Sequence, residues 1–111
     1  MEFSVSLKSN RDFHRAYSKG KSAVSPYLVL YCRKNRQDMN RLGITCSVKL
    51  GSAVRRNRAR RRLREIYRLH EAEFTRGMDI VAVVRSRGMA ARYDKLDSEF
   101  IRLAKELELI C

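Results

Sequence analysis

The chain has 111 residues, 44% of them hydrophobic, which is enough for a single domain over residues 1–111 with a modest core. Its 25 lysines and arginines face 12 acids, giving a formal net charge of +13 and a pI of about 10.4, so the expected partner is a polyanion. No apolar run approaches the length of a bilayer span and the opening MEFSVSLKSN has no apolar signal core, so a cytoplasmic protein without membrane contact is expected.

Ser9 and Asp12 have the spacing of a capping box, which predicts a helix over 10–19 with Phe13, Ala16 and Tyr17 on one side and Gly20 as its stop. A short strand over 21–24 follows, then Pro26, then a β-branched and aromatic run at 27–33. Alternation in that run puts Tyr27, Val29 and Tyr31 on one face and Leu28, Leu30 and Cys32 on the other. The polar, aperiodic segment 34–41 reads as a hairpin loop leading to a strand at 42–48. Cys32, Cys46 and Cys111 are odd in number and lack CxxC spacing. The first two read as small buried hydrophobes and the last as a free thiol.

The most informative stretch is KLGSAVRRNRARRRLREIYR, residues 49–68. Eight of the fourteen residues from Arg55 to Arg68 are arginine, against one acid, Glu65. Ala59, Leu63, Ile66, Tyr67 and His70 recur at the spacing of one helix face, which predicts that they pack in a core, with His70 as a packed histidine. Asn57, Arg61, Arg64 and Arg68 fall on roughly the opposite side. Ser52 is the expected N-cap. A solvated helix usually interleaves signs, whereas this face is nearly all guanidinium, a planar donor fork suited to phosphate.

After a turn around Gly77, the run 80–84 is apolar throughout, as in a strand buried on both faces. Residues 85–92 read as a loop. From Tyr93, the residues Leu96, Phe100, Leu103, Ala104 and Leu107 mark a second amphipathic helix, slightly acidic and structural. The order is α-β-β-β-α-β-α. It implies an α+β fold, with a mixed sheet of about four strands covered by helices and a βαβ unit around the basic helix.

These features favour RNA over the alternatives. A structural RNA-binding module such as a small ribosomal protein fits the composition equally well. Major-groove DNA readout fits less well, because eight arginines with one asparagine favour phosphates over bases, and no DNA partner is expected. A membrane-surface helix would carry exposed Trp or Phe on its apolar face. Paired carboxylates, a metal-ligand cluster and a nucleophile–base pair are all missing from the sequence pattern, so no catalytic residue is expected in the chain.

The string KLGSAVRRNRARRRLRE resembles the RNR signature of the bacterial ribonuclease P protein subunits. LKSNRDFHRAYSKGKSA, YLVLYC, LGITCSV and DIVAVVR fall in that family's order, so the resemblance covers about residues 7–108. It implies a small α-β sandwich whose βαβ crossover is left-handed. It also implies a role as protein component of a ribonucleoprotein endoribonuclease that removes the 5′ leader of precursor tRNA. Catalysis there belongs to the RNA subunit and its Mg²⁺ ions, and the chain's partners would be that catalytic RNA and precursor tRNA. Carried over position by position, Arg56, Asn57 and Arg58 are the RNR triplet. Arg61, Arg64 and Arg68 continue the RNA-facing side, Lys49 and Gly51 are its lead-in, and Phe13, Tyr17 and Tyr31 line a cleft for the leader. Many members have a second lysine where this chain has Val48.

Overall fold

The computed structural model describes residues 3–110; Cys111, read as a free thiol, lies outside them. Five strands form one mixed sheet: β1 (Ser4–Ser6), β2 (Lys21–Val24), β3 (Leu28–Lys34), β4 (Asn40–Cys46) and β5 (Met78–Val84), in the order β1-β4-β5-β3-β2. Four helices accompany it: α1 (Asn10–Lys19), α2 (Ala53–His70), the five-residue α3 (Ser86–Ala90) and α4 (Tyr93–Glu106). The α+β architecture is the expected one, with an added edge strand. β1 is only three residues long and has no apolar alternation, and it is defined by its parallel pairing with β4. Helix α3 occupies the segment read as a loop.

β4, α2 and β5 make the expected βαβ unit, with β4 and β5 parallel and adjacent. The reading of 34–41 as a hairpin loop is wrong. β5 lies between β3 and β4, antiparallel to the first and parallel to the second, so this segment steps over a strand instead of joining neighbours. The reason is burial. MDIVAVV is the strand most apolar on both faces, and the centre of the sheet is covered on both sides.

Alternation sorts the sheet residues into two cores. Leu28, Leu30 and Cys32, with Ile80, Ala82 and Val84, pack against Ala59, Leu63, Ile66 and Tyr67 of α2 and Leu96, Phe100 and Leu103 of α4. On the opposite face Val81 packs with Leu7 and with Ala16 of α1, joined by the half-buried Phe13, Tyr31 and Val83. Cys32 and Cys46 are buried, as expected, and burial pushes the Cys32 thiol up.

Helix ends follow the predicted chemistry in part. Ser52 caps α2 by accepting from the Arg55 N–H at 3.3 Å. Ser9 occupies the N-cap position of α1 but makes no side-chain capping bond, and Asp12 turns to Arg41 instead. Gly20 does end α1, with φ at −88°, so its requirement is for space: a Cβ there would lie 2.5 Å from the carbonyl oxygens of Ala16 and Cys32.

Two polar clusters fasten the layers. The Tyr67 hydroxyl lies 2.6 Å from Ser4 Oγ and accepts from Asn40 Nδ2 at 3.1 Å, while Asn40 Oδ1 accepts from the Met78 N–H. One tyrosine thus joins α2 to β1, β4 and the start of β5. On the other face, Arg41 donates through Nε and Nη2 to both oxygens of the buried Asp79, each at 2.7 Å, and through Nη1 to Asp12 of α1 at 3.0 Å. A bidentate fork of this kind fixes both distance and orientation.

Tyr67→Phe should destabilise the protein by about 1–3 kcal/mol, because Ser4 and Asn40 would each keep a buried polar group with one partner fewer. A thermal melt should show a fall in Tm of order 10 °C. An unchanged melt would mean that this cluster contributes only packing.

Candidate nucleic-acid interface

Helix α2 cannot present three consecutive residues to one surface, because each step turns it by roughly 100°. The structure accordingly separates the RNR triplet. Asn57 faces outward with Val54, Arg60, Arg61 and Arg64 along an open groove of about 490 Å³. Arg58 faces a second groove, of about 550 Å³, with Arg62, Arg92 and Tyr93 beside the α3–α4 junction. Arg56 lies on the packed side, half-buried, with its Nε enclosed and unpartnered. Arg61, Arg64 and Arg68 are exposed, on the side opposite Leu63, Ile66 and Tyr67.

Neighbours orient several of these guanidinium groups. Arg60 donates to Asn57 Oδ1 at 3.0 Å, so Asn57 positions an arginine as well as facing the groove. Arg68 is clamped by Glu65, whose carboxyl is held below its usual range by that hydrogen bond. Arg62 donates to the Ala91 carbonyl at 2.7 Å, and burial with Arg58 nearby lowers its pKa. Arg62 therefore anchors α2 to the segment before α4. The sequence reading missed Arg60 and Arg62, since nothing in a run of arginines distinguishes those bound by the protein from those left free. Lys49 is exposed on a single 3₁₀ turn (Val48–Leu50) leading to α2, where its N–H bonds to Ser47 Oγ.

The three expected cleft aromatics do come together, on the sheet face opposite α2. Tyr17 and Tyr31 meet edge to face with centroids 4.9 Å apart, and Phe13 lies 6.4 Å from Tyr17. Their environments differ. Phe13 packs over Gly43, where a Cβ would lie 2.5 Å from its ring, so that glycine makes room for it in β4. An isolated glycine within a strand pattern is the signal that could have announced such an approach. Tyr31 is half-buried, while Tyr17 is 39% exposed and offers the freest ring face. The arrangement suits unstacked bases on the aromatic side and phosphates on α2. Among the described residues, no three His, Cys, Asp or Glu side chains gather as a metal site, and no helix is long and apolar enough to cross a membrane.

His70 is not the packed core residue expected from its place on the apolar stripe. Its Nδ1 lies 2.8 Å from Glu73 Oε2 and its Nε2 3.1 Å from Asp97 Oδ1, so it ties the end of α2 to α4 through polar contacts. The Glu73 hydrogen bond and the nearby Asp97 charge raise its pKa above the ordinary value, against some desolvation.

A family model described as "Ribonuclease P" matches residues 1–108. The ribonuclease P protein component of Natranaerobius thermophilus is 39% identical over 106 residues, spanning 96% of this chain and 92% of that protein. The one from Lachnoclostridium phytofermentans is 41% identical over 107 residues, with the same two coverages. Among solved structures, the RNase P protein of Staphylococcus aureus superposes with a TM-score of 0.88 at 30% identity, covering 98% of each chain. That of Thermotoga maritima gives 0.80 at 33% identity, covering 87% of this chain and 92% of its own.

The histidine clamp makes the seating of α2 sensitive to pH. Because the folded pKa is raised, the stabilisation is fully present below the unfolded value of about 6.5 and is lost as pH rises through the folded value. The melting-temperature gap between the wild type and His70→Asn should therefore be widest near pH 5.5 and shrink toward pH 8.5. A gap that stays constant with pH would show that the imidazole acts there only through packing.

Proposed function

The chain belongs to the ribonuclease P protein family, and on that premise we propose that it acts as the protein subunit of a ribonucleoprotein endoribonuclease. In this reading it binds the catalytic RNA subunit and the 5′ leader of precursor tRNA, in the cytoplasm. The RNA carries out the cleavage that produces mature tRNA 5′ ends. The observation that supports it best is the pairing of two unlike surfaces on opposite faces of one sheet: the arginine-lined front of α2, and the aromatic ledge of Phe13, Tyr17 and Tyr31. A ribosomal-type RNA-binding module would account for the first surface but would have no use for the second.

The roles divide by chemistry. Arg61, Arg64 and Arg68, with Lys49 and Arg58 at the flanks, meet phosphates of the RNA subunit. Asn57 holds Arg60 toward the same groove. Arg56, half-buried at the root of the helix, approaches RNA only along its rim. The donors on this surface are cationic and suit phosphate, and the Mg²⁺ that the reaction uses is held mainly by the RNA subunit. Tyr17 stacks a leader base, supported from below by Tyr31 and braced by Phe13.

Replacing Arg61 and Arg64 together by Ala should weaken assembly with the RNA subunit. The slope of log affinity against log salt should become shallower by about two, at unchanged Tm, because both side chains are solvated. Filter binding over a salt series reads this directly, and an unaltered slope would remove α2 from the interface.

For the ledge, Tyr17→Ala should weaken precursor tRNA binding by the reconstituted holoenzyme by about five- to a hundredfold, since a stacked base contributes roughly 1–3 kcal/mol. Binding of mature tRNA, which lacks a leader, should hold. Equal losses on both substrates, with a lowered melting temperature, would make Tyr17 a packing residue only.

A further inference from the structure

Helix α1 divides its face of the sheet in two. Ala16 points down into the sheet and is fully buried. Phe13 and Tyr17 lean to one flank, where the aromatic ledge lies. Arg15 and Lys19, with Asp12, lean to the other. On that second flank they meet Arg33 and Lys34 of β3 and Arg36 of the following loop around an open groove of about 520 Å³. Arg41 and Asp12 also line this groove, but Arg41 is shared between Asp12 and the buried Asp79, so that trio adds no positive charge and carries one excess carboxylate. Among the described residues none of Arg15, Lys19, Arg33, Lys34 and Arg36 has a carboxylate partner, so five unpaired cations border one concavity and outweigh the single excess carboxylate beside them.

The loop that carries Arg36 is held in place. Asn35 donates to the Met39 carbonyl and to Asp79, its backbone N–H bonds to the Gly77 carbonyl, and its Oδ1 accepts from the Gln37 N–H. Arg36 itself sits at a φ of +61°, in the left-handed region that a non-glycine residue seldom adopts. The groove has no aromatic lining, in contrast to the ledge across the helix.

We propose that this groove is a second RNA-docking surface, which takes the phosphate backbone of a base-paired segment of the RNA subunit. The commitment to paired RNA follows from the lining. A single strand is retained by stacking its exposed bases, and nothing here offers a ring, whereas a helical segment presents phosphates and sugars to cationic side chains. The surface lies on the sheet face opposite α2, so RNA meeting both would contact the protein on two sides. The inference rests on the reading that the chain assembles with the ribonuclease P RNA.

The test uses the holoenzyme reconstituted with a transcribed bacterial ribonuclease P RNA, comparing the wild type with the triple variant Arg15→Gln, Arg33→Gln, Arg36→Gln. The expected result is a salt slope for RNA-subunit binding shallower by about three, with an unchanged ratio of precursor to mature tRNA affinity. The corresponding Arg→Lys triple variant should restore the slope, because it returns the charge. An unchanged slope in the Gln variant would overturn the proposal. So would a fall in the precursor-to-mature ratio, which would assign the groove to the leader, and so would failure of the Lys variant to restore binding. If the wild type itself did not bind the ribonuclease P RNA, the functional reading would fail first, and that result is separable from all of these.

Discussion

The structure depends on β5 being covered on both faces. Ile80, Ala82 and Val84 face α2 and α4, Val81 and Val83 face α1, and Asp79 at its start supplies the anion that Arg41 grips. A strand whose run 80–84 is apolar throughout can satisfy both faces only in the middle of a sheet with layers on either side. That requirement places β5 between β3 and β4, sends the chain through α2 as a crossover between parallel neighbours, and leaves α1 alone on the opposite face.

On one side of this centre stands a helix that concentrates like charge. Eight arginines within fourteen residues repel one another, and those at the start of α2 also oppose the positive end of the helix dipole. The fold offsets this by packing Leu63, Ile66 and Tyr67 into the main core, and by spending a few polar partners on particular arginines: Glu65 on Arg68, Asn57 on Arg60, and the Ala91 carbonyl on Arg62. Arg58, Arg61 and Arg64 remain solvated. A polyanion laid along them would relieve repulsion that the protein leaves uncompensated, which is how a small domain can hold a strong phosphate surface with a modest core.

On the other side, α1 is positioned by three quite different contacts. Ala16 is small enough to lie directly on the sheet, Gly43 leaves room for the Phe13 ring, and the Arg41 bridge joins Asp12 to Asp79. Together they fix the helix so that one flank presents rings and the other presents cations. Because Arg41 uses its whole guanidinium on carboxylates, it adds rigidity instead of free charge, and so the groove's positive potential comes from the side chains around its rim.

The sequence by itself determined the period of each main element, the buried stripe of α2, the parallel pair around it and the outward placement of Asn57, Arg61, Arg64 and Arg68. The parallel pair follows from the order of the elements, and the rest from local periodicity, which is set by backbone geometry within a few residues. The extended RNR string carried the family as well, because it combines a cap, a core stripe and a cationic face in one continuous segment. Tertiary structure alone decided the insertion of β5 between β3 and β4, the edge pairing of Ser4–Ser6, the capture of His70 by Glu73 and Asp97, and the gathering of Arg15, Lys19, Arg33, Lys34 and Arg36 around one groove. Each joins residues distant in the chain, and local periodicity constrains only which way a side chain points, not what arrives opposite it.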